Sequence, residues 1–384
     1  PPGTAAAPGQ MDAAVIPLPF RADRPLAADS VPREVREGPR DGAAPREPRE
    51  PRDLAGLRLT ASLRPLETPA WTKSPELNAP ALEAARRKTD GRLLIELAAS
   101  RLRIVVASSG LVLPVGTELR ARADRYGHVV VWPDTNGYRL AAPGSLRALF
   151  GERRLDVAPL ATAYVGLSGE GSRAHNLRTR RVQVDTRAGK ATIDLATIRE
   201  TTDSASLLCR TLLDFLNAAP STPVCGPDEL PLHATFSWSP SGGLVFDVLS
   251  IEHRADLRPQ DLAAPPAGTF LGTDLPLPPA ELLVPRSDLP TFRSAPVDLP
   301  SAPDASPIEP GLVLVNSTDQ LLAVWVDGVA LLWVAPGARE VLLGLVRGRY
   351  TVQWRTFLGE AVDVPQLLGV PGVSEVGAAD GGRR

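Results

Sequence analysis

Between residues 311 and 362 the chain reads GLVLVNSTDQLLAVWVDGVALLWVAPGAREVLLGLVRGRYTVQWRTFLGEAV, and no other stretch constrains the fold as strongly. Arg349 to Arg355 alternates: Tyr350, Val352 and Trp354 point one way, and Thr351, Gln353 and Arg355 the other. Period-two alternation of aromatic and β-branched residues is the mark of a half-buried strand. Leu321 to Val326 and Val329 to Val334 flank Asp327-Gly328. Asp-Gly supplies the positive φ angles of a two-residue hairpin turn, so these runs are predicted to pair antiparallel. Pro336-Gly337 and Arg347-Gly348 mark the next turns, because Pro presets φ and Gly relieves the steric bar. The spacing predicts about four or five short strands in a small β module over 311–366, with 367–384 as a flexible tail. A unit of this size has a thin core and is marginal alone.

Val-Asp-Gly, then Pro-Gly, then Gly-x-Tyr-x-Val, all between Val326 and Val352, resembles the PEGA-type β modules of bacterial envelope and surface proteins. The Pro-Glu-Gly-Ala tetrapeptide that names that family is absent. The resemblance implies a non-enzymatic β module at the cell envelope. Trp325, Trp333, Tyr350 and Trp354 are open to two readings. They form an aromatic platform for a sugar ring, or they are core and edge packing, the usual fate of aromatics in small domains.

The remainder is divided by its prolines, forty in 384 residues against an average near 5%. In residues 1–55, Pro-Arg-Glu or Pro-Arg-Asp recurs at 32–34, 39–41, 45–47, 48–50 and 51–53. Such a segment buries too little apolar area to offset its ordering entropy and is predicted to be a disordered arm. From Leu57 the pattern becomes Leu57, Leu59, Ala61, Leu63 against Arg58, Thr60, Ser62, Arg64, a strand. A short helix is expected over 80–88 after Asn78, another over 144–151, and strands at 180–198 around the turn 187–190. The best helix is 203–219, capped by Asp203 or Ser204, with Leu208, Leu212, Phe215 and Ala219 on one face. Further strands fall at HATFSWS and GLVFDVLSI. The fold class is mainly β: a sandwich-like domain over 56–257 with one or two packed helices. A Pro-rich linker spans 258–310, with thirteen prolines, followed by the C-terminal module. Parts of that linker, Thr269–Leu271 or Glu281–Val284, have the alternative of lying along the domain surface.

An ungapped alignment of 111–132 with 333–354 pairs Val112/Val334, Pro114/Pro336, Glu118/Glu340, Arg125/Arg347, Val130/Val352 and Trp132/Trp354. Duplication explains this, and so does shared turn grammar.

The chemistry is sparse. His128, His175, His233 and His253 have no partner at metal-ligand spacing, and no motif calls for a metal or cofactor. Gly166-Leu167-Ser168-Gly169-Glu170 lacks the last Gly of a nucleophile elbow. Gly169-Glu170-Gly171-Ser172 is not followed by the Gly-Lys-Thr/Ser of a phosphate loop. Arg173, Arg178, Arg180 and Arg181 make the best local anion patch, and such a run also serves as a plain solvated face. No aromatic residue interleaves there for base stacking. A net charge of −2 argues against a dedicated nucleic-acid binder. No stretch has the eighteen or so apolar residues of a membrane span.

Cys209 and Cys225 are the only cysteines. A bridge between them would staple the 203–219 helix to the loop that follows, and such bridges persist outside the cytoplasm. With a chain that opens on Pro rather than Met, the expectation is an extracytoplasmic protein, in the periplasm or at the outer-membrane surface, after removal of a signal segment. The functional reading is a non-enzymatic, envelope-associated binding or scaffold protein, with an envelope polysaccharide or another envelope protein as partner. Two alternatives stand: an enzyme acting on envelope polymers through carboxylates assembled in space (Asp185 and Asp194 are examples), and a subunit of a surface assembly.

Overall fold

The computed structural model describes residues 53–69, 76–133, 135–150, 160–199, 204–219, 221–238, 242–272, 275, 277, 280–294 and 311–377. The predicted arm 1–55, apart from its last three residues, lies outside them, as does 295–310 of the predicted linker. All of the described residues belong to one compact unit.

The architecture is mainly β. Its larger part is a single twelve-stranded sheet rather than two facing ones. Two meanders meet in it. One runs β1 (Leu54–Pro65), β2 (Gly91–Ala98), β3 (Arg101–Val106), β4 (Glu118–Arg122), β5 (Arg125–Val131) and β6 (Gly137–Ala141). The other runs β7 (Tyr164–Glu170), β8 (Thr179–Thr186), β9 (Gly189–Thr197), β10 (Glu229–Ser237) and β11 (Gly243–Leu257). They join where β1 pairs antiparallel with β11, and β12 (Thr269–Phe270) adds to β6 in parallel.

The alternation of β1 works as read. Leu57, Leu59, Ala61 and Leu63 are buried and meet Leu97, Ile95, Leu93 and Gly91 of β2. That apolar face is covered by the second and third of the predicted helices, whereas the first packs against the C-terminal sandwich. α1 (Ala79–Lys88) starts at Asn78, whose side chain accepts from the Ala81 N–H, and it carries Arg86, Arg87 and Lys88 in its last turn. α2 is Leu146–Phe150. α3 (Ser204–Leu213) continues as a 3₁₀ turn over Asp214–Leu216 and ends at Asn217 with φ 52°. Leu208, Leu212 and Phe215 are buried as the helical face requires, while Asp203 lies outside the described residues.

The opposite face of the large sheet is a ladder of charge. Arg58 on β1 pairs with Glu96 on β2 at 2.7 Å, Glu96 with Arg103 on β3 at 3.0 Å, and Arg103 with Glu118 on β4, which also accepts from Arg120 at 2.7 Å. Burial acts to raise the Glu96 and Glu118 carboxyls, but their arginine partners outweigh it and hold both below the ordinary carboxylate range. Cross-strand neighbours of opposite charge reinforce the pairing.

The C-terminal part is a true sandwich. Its four-stranded sheet is ordered β15 (Val329–Val334), β14 (Leu322–Val326), β17 (Gly348–Arg355), β18 (Gln366–Val370). The three-stranded one is ordered β16 (Arg339–Leu343), β13 (Gly311–Asn316), β19 (Gly372–Val376). The Asp327-Gly328 hairpin forms, with both residues at positive φ. Leu312 and Leu314 pack with Val324, Val352 and Trp354, and the Trp354 indole N–H donates to Ser374 Oγ at 2.9 Å across the two sheets.

Three expectations are corrected. The module does not end at 366: Gln366–Val370 and Gly372–Val376 are strands, so 367–376 is not a flexible tail. The stretch 258–294 is not a free linker. Leu283, Val284, Leu289 and Phe292 are buried, with 3₁₀ turns over Arg286–Phe292, and β12 lies at Thr269–Phe270, so the surface-lying alternative describes this part. Proline denies these residues a regular backbone, yet buried apolar anchors, Leu262, Ala264 and Leu275 among them, seat the stretch. The alignment of 111–132 with 333–354 has no structural counterpart. β4 and β5 are hairpin partners, whereas β16 and β17 belong to different sheets, which leaves the shared turn grammar as its source.

Candidate functional site

The two tryptophans of the β14–β15 hairpin project from the face opposite the sandwich core, onto the large sheet. Trp325 and Trp333 are 5% and 6% exposed and belong to the core of the large sheet, whereas Tyr350 and Trp354 are fully buried inside the sandwich. The four aromatics therefore lie on opposite faces of one sheet and do not form an exposed platform. Alternation assigns them to opposite faces readily; it is silent on which faces are covered.

Trp333 begins a row of rings that runs into the large domain. It meets Phe357 at 6.1 Å, Phe357 stacks on Phe150 at 4.7 Å, and Phe215, Phe236 and Trp238 follow at 5.6, 5.6 and 6.4 Å. Polar contacts flank this junction. Arg147 pairs with Glu360 at 3.4 Å, Gly243 N–H donates to Leu358 O at 2.7 Å, and Arg86 donates to the carbonyls of Gly328 and Pro69.

Beside the rings lies a narrow, partly open cavity lined by Leu63, Asp90, Arg86, Trp325, Trp333 and Phe357 among others. Only a small part of it admits a water-sized molecule. The indole N–H groups of Trp325 and Trp333 are buried and have no acceptor among the described residues. An unmet buried donor costs about 1–3 kcal/mol. Burial also pushes the Asp90 carboxyl up and the Arg86 guanidinium down, despite their opposite charges. The cavity thus presents two unused donors in an apolar wall, a setting for oxygen acceptors or ordered water rather than for the open face of a sugar.

The predicted anion patch is largely spent on internal pairs. Arg180 grips Glu229, and Arg181 holds Asp194 through two bonds of 2.7 and 2.8 Å. Arg180 holds Glu229 below its ordinary range. Burial acts to raise Asp194, but Arg181 and Ser172 outweigh it and lower that carboxyl. Arg173 and Arg178 remain exposed. Asp185 pairs with Lys190 at 3.4 Å on the neighbouring strand, so Asp185 and Asp194 each hold a cation of their own instead of facing one another.

Sequence reasoning missed an acid–base line on the sheet surface. His233 Nδ1 lies 2.6 Å from Asp247 Oδ1, and its Nε2 lies 3.1 Å from Thr235 Oγ1. Asp247 is held low, first by the His233 hydrogen bond, and Arg64 adds a contact at 3.3 Å. The spacing of His233 and Thr235 at i and i+2 places both on one face of β10, a signal that was available in the sequence. The line has a base and a hydroxyl, but β10 is paired on both edges, with β9 and β11. Its backbone N–H groups are therefore committed to the ladders and do not supply the oxyanion donors that acyl transfer requires. Gly166–Glu170 lies within edge strand β7, not at a strand-to-helix turn. Among the described residues, no cluster of three or more His, Cys, Asp or Glu is placed to hold a metal ion.

The disulfide forms as expected: Cys209 on α3 and Cys225 are bonded, with Cα atoms 6.4 Å apart. Among the described residues no helix is long and apolar enough to cross a membrane.

No protein-family model matches the chain, and no curated protein matches it. Among solved structures, PNGF-II in its C2 crystal form aligns with 57% of this chain at 8% identity and a TM-score of 0.31; this chain spans only 31% of that one. MucB in complex with MucA(peri) aligns over 82% of this chain and 87% of its own, at 15% identity and a TM-score of 0.25. The Pseudomonas aeruginosa MucA/MucB complex gives 14% identity and a TM-score of 0.23 over the same shares. At TM-scores this far below 0.5 the likenesses are distant and carry no inference about function.

Proposed function

We propose that this chain is an extracytoplasmic, non-enzymatic binding or scaffold protein of a bacterial envelope, with another protein rather than a polysaccharide as its partner. The Cys209–Cys225 bond carries the location, because such bonds are sustained in oxidising compartments and rarely in a reducing cytosol. The resemblance of residues 326–352 to PEGA-type modules supports the same place. The choice of partner follows from the burial of Trp325, Trp333, Tyr350 and Trp354, which withdraws the aromatic surface a sugar would stack on. Exposed apolar side chains on strands remain: Tyr164 and Val165 on edge strand β7, and Val341 and Val373 on the sandwich.

Recovery of the native protein under non-reducing conditions, with alkylation and mass spectrometry, tests the location. A linked Cys209–Cys225 peptide is expected. Two alkylatable thiols would remove the support. Cross-linking in the native envelope tests the partner, and recovery of glycan without any protein would reverse that choice.

A further inference from the structure

We propose that the outer face of the three-stranded sheet docks a second copy of this chain, the two faces stacked about a two-fold axis that runs along β13. In a sandwich with one face in water, outward positions are polar. Here they are not. β13 is apolar on both sides: Leu312 and Leu314 point into the core, and Val313 and Val315 point out. Its neighbours follow suit. Val341 on β16 is 55% exposed and Val373 on β19 is 58% exposed, and both are in register with Val313. A strand apolar on both sides is the pattern of one covered on both sides.

The register selects the occupant. The valine row Val341, Val313, Val373 is followed by the row Arg339, Val315, Glu375. Arg339 and Glu375 are both exposed, and β13 lies between their strands. Strands sit about 4.8 Å apart, so the two side chains are separated by roughly 10 Å within one chain. A two-fold axis along β13 exchanges the β16 and β19 columns while keeping the rows. Val341 then faces Val373 of the other copy, Val313 faces Val313, and each Arg339 faces a Glu375. The face is thus complementary to itself in shape class and in charge. Glu375 also accepts from Ser317 Oγ at 2.9 Å, which fixes it at the rim of the patch.

The patch is small. Three strands of five residues span roughly 14 by 17 Å, below the ~800 Å² per partner of a standard interface, so the association is weak and concentration-dependent. It holds independently of the envelope location, since self-association is read on the purified chain.

Sedimentation of the full chain from on the order of 10 μM to 1 mM brackets affinities of this size. The mass is expected to rise from 40.7 kDa towards twice that value. Val313→Glu should weaken association at least ~10-fold. Arg339→Glu and Glu375→Arg should each weaken it ~5-fold, and the double reversal should restore it, because like charges opposed across an interface repel. All three positions are on the outer face, and an unchanged thermal transition verifies each fold. A wild-type chain that stays monomeric overturns the proposal. So does a dimer indifferent to Val313→Glu, or a double reversal that fails to recover what the single ones lose. A chain that dimerises only after residues 378–384 are removed assigns the face to its own end, and overturns it equally.

Discussion

The large sheet and the C-terminal sandwich are built from similar strands but treat their second face differently. In the large sheet one face carries the core and the other carries arginine–carboxylate pairs, so β1 alternates leucine with arginine. In the sandwich the four-stranded sheet is covered twice. Its Val324–Trp354 side meets the three-stranded sheet, and its Trp325–Trp333 side meets the large sheet. Every residue of β14 and β15 is buried as a result. A small module gains its missing core by borrowing a face from its neighbour, and for that reason it does not behave as a bead on a tether.

The strongest way to break this comparison is Arg293→Ala. Arg293, in the stretch read as linker, is buried against the sandwich. It pairs with buried Asp327 at 2.9 Å, covers the Tyr350 ring at 3.9 Å and donates to Arg349 O. Burial pushes the Asp327 carboxyl up against the pull of Arg293, so without the cation a buried acid loses its counter-charge. Removing one partner of a buried pair costs about 3–5 kcal/mol, measurable by denaturant titration. No loss would mean that the sandwich does not depend on 280–294.

Replacing Cys209 and Cys225 by Ser should cost about 3 kcal/mol for a loop of this length. Amide exchange should quicken around α3 and leave the sandwich strands unchanged. Uniform quickening in both regions would contradict a local staple.

Trp333→Leu at the junction should cost about 2–3 kcal/mol through lost ring contacts and an enlarged cavity. If the regions share a core, wild type melts in one transition and this variant begins to separate them. Two transitions already present in wild type would sink the shared core.

The smallest expected effect is with pH. Glu96, Glu118, Asp194, Glu229 and Asp247, all on the large sheet, are lowered on folding, while Asp327 and Asp363 in the sandwich are raised by burial. A lowered carboxyl contributes stability that is complete above its unfolded value near 4 and lost as pH falls through its folded value. A raised one opposes folding at neutral pH, and that opposition fades as pH falls through its folded value. Below about pH 4 the large sheet should lose exchange protection before the sandwich; the reverse order would reject the assignment.

What the sequence disclosed follows one physical line. Where one face of the strand is polar, as at Leu57–Leu63 and Arg349–Arg355, alternation exposes it. The Asp327-Gly328 turn and the α3 face are equally local and equally legible, and two lone cysteines made the bridge an easy expectation. Phe292 and Leu289 escaped because 3₁₀ and extended backbone have no period long enough to read. β19 escaped because Pro371 breaks the run before it. The Asp247–His233–Thr235 line was half visible in the i, i+2 spacing, but its aspartate comes from the next strand, and no local pattern announces register.

The meeting of β1 with β11 has a consequence for how the chain reaches its fold. Leu59 lies opposite Ile251, 192 residues away in sequence. A contact so distant closes only after a long stretch of chain has been ordered, and folding slows as such separations grow. β1 emerges early in synthesis, pairs with β2 on one edge, and leaves its other edge bare until residues 243–257 arrive. During that interval the bare edge is a template for wrong partners. A chain whose β1 edge waits for residues 243–257 gains from being held open until that stretch has been made.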